Sequence, residues 1–490
     1  MTGAANLRLN AKHLEGVTQR KKLQDDVSIA IGQTIRRYCD SSSSEQPNLP
    51  IVFAAELLKY ASNFFILKTE PKGYEQPVIF PYLNTAYISN TPEWNFQRRR
   101  SDYSPSRLNR ILKWMAPFST DIDCSPNLPI SRKDILLGSR GKCLPLRTPA
   151  PCLYIKSQSQ QMTLLKDLLG DLSKLIGEEQ NKNFVLNFLS YVDSFLIAKK
   201  IPPAASICVL GSNVDIDCRI RATNYLSEGL PVVCLGHGHQ SFCLFDEPVV
   251  GLGELSLCTH YLTYGRSGLF ENASYSKPVG KAPQLEFFSS SIVQKLFTQN
   301  EVKPRAIGSK TKILYVPTGF SANQRYGPFR DFDDDVYAEW QRQLFQVGLN
   351  ISYKTHPKNR SDRIPEGVPL VSGRLEDVFN DYDVIFLDFI STASSLAFAS
   401  NKPIVYFDLG LRNLTAPALE ACQKRAFWRR VQVEEDATSQ VREIIREFNA
   451  KLLCQTNLFS DMYSLSKSGE TEIFALIQVL DRIRGEIDRG

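Results

Sequence analysis

The chain has 490 residues, 43% of them hydrophobic and 22% charged, which is the balance of a globular protein too long for one core. A formal net charge of +6 suits acidic ligands such as phosphates or anionic headgroups, without requiring nucleic acid as a partner. Eleven cysteines without a CxxC pair read as buried thiols of a reducing compartment, not as a disulfide framework or a zinc site.

The N-terminal MTGAANLRLNAKHLEG has no apolar h-region, so no signal peptide is expected. The most apolar window, 184–198, is interrupted by Asn187 and Asp193 and is too polar to span a membrane. A cytoplasmic protein is expected, with a peripheral place at the inner face of the cell membrane open to it. Residues 1–150 show helical patterning at 20–38, a polar SSSSEQPN loop at 41–48 and a proline-rich stretch at 117–151. They are expected to be part of, or appended to, a first (acceptor) domain. Within them, 98–115 carries six basic residues against one acid, with Leu108, Ile111, Leu112 and Met115 on one helical face. Such a helix could lie on an anionic membrane surface, but a solvated basic face packed on its own domain is the favoured reading.

From 151 the pattern changes to alternating strands and helices. PCLYIK (151–156), ASICVLG (205–211), LPVVCLG (230–236) and LCTHYLTYG (257–265) read as strands, with a helix at 216–229. Continuous apolar strands separated by helices indicate parallel βαβ units, here a first Rossmann-like domain over 151–280. The more polar 281–310 reads as a linker. A second such domain, 311–434, has strands at 312–316, 350–353, 383–387 and 402–408, with helices at 334–346, 374–381 and 391–400. Residues 435–490 read as C-terminal helices. The expected fold class is α/β, with two Rossmann-like domains facing a cleft, an extra N-terminal region and a helical tail.

Open α/β sheets bind ligands beyond the carboxyl ends of their strands, and the residues there are informative. Gly236-His237-Gly238-His239 follows one strand, Pro317-Thr318-Gly319 another, Lys354-Thr355-His356-Pro357 a third and Ser391-Thr392-Ala393-Ser394-Ser395 a fourth. Three of the chain's five histidines therefore fall on one rim. Gly236 and Gly238 would let backbone approach a ligand closely, and His237 is suited to general-base chemistry. A strand-end histidine held by backbone, or a metal pair without a third ligand, are the competing readings. The 391–395 run opens a helix and suits a phosphate, although Ser and Thr also favour an ordinary N-cap. Lys354 and His356 offer two donors on a turn that Pro357 keeps out of the helix. The acidic triplets at 121–123, 215–217 and 333–335 are set aside as metal sites, and the basic run 424–430 reads as a solvated helix face.

Taken in order, these motifs resemble the GT-B glycosyltransferase-like enzymes of bacterial surface-polymer synthesis. That group includes CDP-glycerol glycerophosphotransferases, polysialyltransferases and capsule polysaccharide enzymes. The resemblance covers about 205–430 and rests on four features. These are an arginine-bearing helix (Arg219 or Arg221) before an apolar strand, His237-Gly238, Lys354-Thr355-His356-Pro357, and Ser391-Thr392 before Lys402-Pro403. It implies a transferase of a sugar or polyol-phosphate unit from a CMP-, CDP-, UDP- or GDP-type donor to a glycan or lipid-linked acceptor. It implies His237 as base, His239 as its neighbour, and a donor-phosphate site of Thr318, Gly319, Lys354, His356, Ser391, Thr392 and Ser394. Neither metal nor a separate cofactor is implied. A nucleotide-sugar 2-epimerase of the same fold and a non-catalytic binding scaffold are the alternatives.

Overall fold

The computed structural model describes residues 17–40, 47–69, 78–80, 85–87, 94–96, 122–124, 143–145, 152–178, 182–200, 203, 205–211, 213–236, 238, 242–244, 248–266, 277–297, 302, 305–318, 334–355, 364–451 and 456–489. The basic stretch 98–115, His237, His239, Gly319 and His356 lie outside these residues.

Two all-parallel sheets organise the described residues, and their buried strands explain the continuous apolar runs in the sequence. The first contains β4 (Ile122–Cys124), β5 (Cys143–Pro145), β6 (Ile207–Leu210), β7 (Val232–Leu235), β8 (His260–Tyr264) and β9 (Gln284–Phe288), in the spatial order β5-β4-β6-β7-β8-β9. The second contains β10 (Ile313–Val316), β11 (Ile351–Lys354), β12 (Leu370–Val371), β13 (Val384–Leu387), β14 (Ile404–Asp408) and β15 (Phe427–Arg430), in the order β12-β11-β10-β13-β14-β15. Both are Rossmann-like. A separate antiparallel ribbon is formed by β1 (Val78–Phe80), β2 (Thr85–Tyr87) and β3 (Trp94–Phe96).

The period of two along each strand sorts its side chains between two layers. In the first sheet Cys208, Leu210, Val232 and Cys234 share a core with α1 (Val17–Asp40), α3 (Ala54–Thr69), α4 (Gln158–Leu175) and α5 (Lys182–Asp193). The short α2 (Leu49–Val52) is capped by the Asn48 side chain, which accepts from the Ile51 N–H at 2.9 Å. On the opposite face, Ile207, Val209, Val233, Leu235 and Leu262 pack on Leu476, Val479, Leu480 and Ile483 of the last helix. The second sheet lies between two layers in the same way. Ile313, Tyr315, Phe386, Val405 and Phe407 meet the helices at 334–345 and 437–451, while Leu314, Ile385, Leu387 and Tyr406 face those at 392–399 and 416–425.

Several sequence expectations change. PCLYIK is not a sheet strand: only Leu153 bridges, to Leu196, because β4 and β5 take the sheet positions beside β6. Thus the region before residue 151 supplies two strands of the first sheet as well as its covering helices. Residues 281–310 are not simply a linker. QLEFF forms edge strand β9, and Ser291–Phe297 forms α7, since the alternation of apolar side chains outweighs the polar surroundings. The basic run 424–430 is not one helix face. It ends a helix at Arg425 and then forms β15, where Phe427 and Trp428 favour the sheet edge. No described helix is long and apolar enough to cross a membrane.

Candidate functional site

In the second sheet the strand order reverses between β10 and β13, which opens a crevice at their carboxyl ends. Thr318 follows β10 at this point, and its N–H donates to the Tyr337 hydroxyl at 3.1 Å. Tyr337 lies on α8 (Asp334–Phe345) and is buried. After β13, Asp388-Phe389-Ile390 leads to Ser391, the N-cap of α10 (Thr392–Ala399). The Ser391 N–H donates to the Ser394 hydroxyl at 2.8 Å, and that hydroxyl donates back to the Ser391 carbonyl at 2.7 Å. Ser394 is therefore engaged within the cap and buried, whereas Thr392 is exposed at the positive end of the helix dipole.

The other end of α10 is held as firmly. Arg425, on α11 (Ala416–Arg425), is fully buried and donates to the carbonyls of Phe398 and Ser400 at 2.7 Å and of Lys402 at 3.0 Å. It caps the helix C-terminus, where a cation complements the dipole, and burial lowers its guanidinium to about 9. This is a structural task, unlike the solvated role read from the sequence.

Beside the crevice, Lys354 ends β11 with its ammonium donating to the Thr355 carbonyl at 3.2 Å. Burial lowers its pKa and the nearby Glu376 opposes that shift. On the other flank, the loop after β14 carries Arg412, whose guanidinium lies 4.6 Å from the centre of the Phe389 ring. This cation–π contact sets a half-buried cation next to the approach to Ser391. The strand-end rule, extended to DLGLRN after β14, marks Arg412 as well, although no histidine or serine stands there.

Beneath the rim lies Asp388, with no solvent exposure. Its carboxylate accepts from the Tyr315 hydroxyl, from Tyr337 at 3.0 Å and from Trp340 Nε1 at 2.9 Å. Burial pushes its pKa up to about 6, while these three donors pull the other way. Both tyrosines are held well above their usual range by burial, with the Asp388 charge adding to it, so they remain protonated donors.

In the first sheet, Gly236 follows β7 and its N–H donates to the Leu262 carbonyl at 2.7 Å. A Cβ there would lie 3.0 Å from the Tyr261 hydroxyl and 3.3 Å from Thr263 Oγ1, so a larger residue needs β8 side chains to give by a few tenths of an ångström. Gly238 sits in a buried bend. Just beyond 237–241, Leu244 forms an antiparallel bridge with Leu414, and Thr415 N–H donates to the Cys243 carbonyl at 2.8 Å. This seam joins the segment following His237 and His239 to the loop that carries Arg412. A second joint is made by α7 (Ser291–Phe297) packing on α10.

Arg219, on the arginine-bearing helix α6 (Ile216–Leu226), is spent on the main chain. It is fully buried and donates to the carbonyls of Val52 at 2.6 Å, Asn213 and Gly253 at 2.9 Å, and Ile51. Among the described residues no group of three or more His, Cys, Asp or Glu side chains forms a candidate metal site.

No family model matches the chain, and no curated protein matches it. Among solved structures, it is similar to Phytolacca americana UGT2 complexed with UDP-2fluoro-glucose and pterostilbene, at 11% identity over 77% of this chain and 95% of that one, with a TM-score of 0.31. It is also similar to the glycosyltransferase SnogD from Streptomyces nogalater, at 11% identity over 74% of this chain and 98% of that one, with a TM-score of 0.30.

Proposed function

We propose that the protein is a transferase that moves a sugar or polyol-phosphate unit from a nucleotide-activated donor to a surface-glycan acceptor. The observation that carries this reading is the convergence of Thr318, Lys354, Arg412 and the α10 N-terminus on neighbouring strand ends around the β10–β13 crevice. Two cations, a helix dipole and a main-chain turn form an electrostatic cradle for a diphosphate. His356 follows Lys354 by two residues and belongs to the same cradle in this reading.

The acceptor hydroxyl gives its proton to His237, and His239 orients that base. The acceptor oxygen then bonds to the transferred carbon or phosphorus as the bond to the nucleotide's phosphate oxygen breaks. The negative charge gathers on the leaving phosphate, where Lys354, Arg412 and the α10 dipole stabilise it. These groups take the neutralising role often given to a divalent ion, so turnover is expected to persist in EDTA.

The test is a thermal-shift titration of the full chain with CMP, CDP, UDP and GDP and their sugar or glycerol conjugates. A nucleotide at a hundred times its Kd should add about 2.7 kcal/mol of stability. Arg412→Ala and His356→Ala should each weaken that binding at least tenfold. Absence of binding by every nucleotide, or epimerisation of a UDP-sugar without an acceptor, would overturn the proposal.

A further inference from the structure

A buried carboxylate is a costly way to fill space, because a hydrophobic residue of similar volume usually serves stability as well or better. Asp388 nevertheless lies among Tyr315, Tyr337 and Trp340, with no solvent exposure. Its hydrogen bonds run between elements that carry different parts of the rim. Tyr315 belongs to β10, Tyr337 and Trp340 to α8, and Asp388 itself is the first residue after β13.

Tyr337 is the bridge. Its oxygen accepts the Thr318 N–H at 3.1 Å, and its hydroxyl hydrogen is directed to the Asp388 carboxylate, whose oxygens lie at 3.0 and 3.1 Å. The main chain at Asp388 continues through two buried residues, Phe389 and Ile390, to the Ser391 cap. One buried relay thus connects the loop after β10 to the loop that opens α10. These loops form opposite sides of the crevice where the strand order reverses.

The geometry points to Asp388 as a positioning residue of the donor site: through Tyr337 it holds the two loops at the separation a diphosphate requires. This inference rests on the donor-site reading above. Asp388 does not touch the donor; it acts through Thr318 and the Ser391–Thr392 turn, and Tyr337 is the second member of the device.

The test compares the full chain with Tyr337→Phe and Asp388→Asn. Tyr337→Phe keeps the buried ring and guards against a failure of Asp388→Asn to fold. Amide hydrogen exchange reads the relay without any ligand. Asp388→Asn should speed exchange of the Thr318 amide about tenfold, although residue 388 makes no direct bond to that amide, and Tyr337→Phe should do the same at 389–392. Calorimetric titration with CMP, CDP, UDP and GDP gives the second readout, with Kd raised about tenfold in both variants while the folded fraction is unchanged. Exchange confined to the mutated element, or nucleotide binding as tight as wild type, would overturn the positioning role and leave the donor site standing. Failure of the wild type to bind any of the four nucleotides would remove both readings together.

Discussion

Replacing Arg219 with methionine keeps much of the side-chain length but deletes the guanidinium that serves four main-chain carbonyls. Those of Ile51 and Val52 belong to α2, Asn213 lies beyond β6, and Gly253 lies in the π-helical turn at 250–254. The Gly253 carbonyl keeps the Ser256 hydroxyl as a donor at 3.1 Å, so three carbonyls lose theirs; at about 1–3 kcal/mol each the gross loss is about 3–9 kcal/mol. Burying the cation has its own cost. Desolvation lowers the Arg219 pKa to about 10, a displacement equivalent to roughly 3 kcal/mol that the methionine recovers. The net expectation is a loss of about 0–6 kcal/mol, centred near 3 kcal/mol. In differential scanning calorimetry, the transition of the first domain should fall by roughly 6–12 °C at the central value. Nucleotide affinity, measured below that transition, should stay within twofold of wild type. An unchanged transition together with lost turnover would refute the reasoning and place Arg219 in the reactive site instead.

Three further outcomes are expected. The Asp388 carboxyl is raised from 3.8 to about 6 in the folded state, so it binds its proton more tightly folded than unfolded. The stabilisation is complete below about pH 4 and is lost as pH rises through about 6, amounting to at most roughly 3 kcal/mol. Melting curves from pH 4 to 8 should show this decline in wild type and not in Asp388→Asn; matching slopes would remove Asp388 as its source. His237→Ala should lower turnover at least a hundredfold with nucleotide Kd unchanged, and a parallel loss of melting temperature would make the histidine structural. Ser394→Ala should cost about 1 kcal/mol through the lost cap, whereas intact stability with abolished nucleotide binding would make Ser394 a ligand.

How much could be read from the chain depended on local pattern. The strands β6, β7, β10, β13 and β14 are four- or five-residue buried runs with helices between most of them, and such runs declare themselves. By contrast β4 and β5 are three residues each, IDC and CLP, too short to show any period. QLEFF was hidden by the polar residues around it, and FWRR by its basic neighbours. In the site, serines, lysine and histidines stood out because phosphate chemistry favours them. Arg412, Asp388 and Tyr337 did not, since a lone arginine, aspartate or tyrosine acquires meaning only from what tertiary packing sets beside it. Arg219 shows the reverse case: a residue that helps to mark the resemblance serves the scaffold.

The last helix, α14 (Glu472–Ile487), lies against Val209, Val233 and Leu235 of the first sheet, although the whole second domain intervenes in sequence. The order of synthesis and the order of completion must therefore differ. On the ribosome, the strands of the first sheet emerge early but keep one apolar face bare, while the second domain has nearly all of its core partners within one contiguous stretch. The first domain to be translated is the last to be sealed, and during that interval Ile207, Val209 and Leu262 are a natural target for chaperones that hold exposed apolar surface.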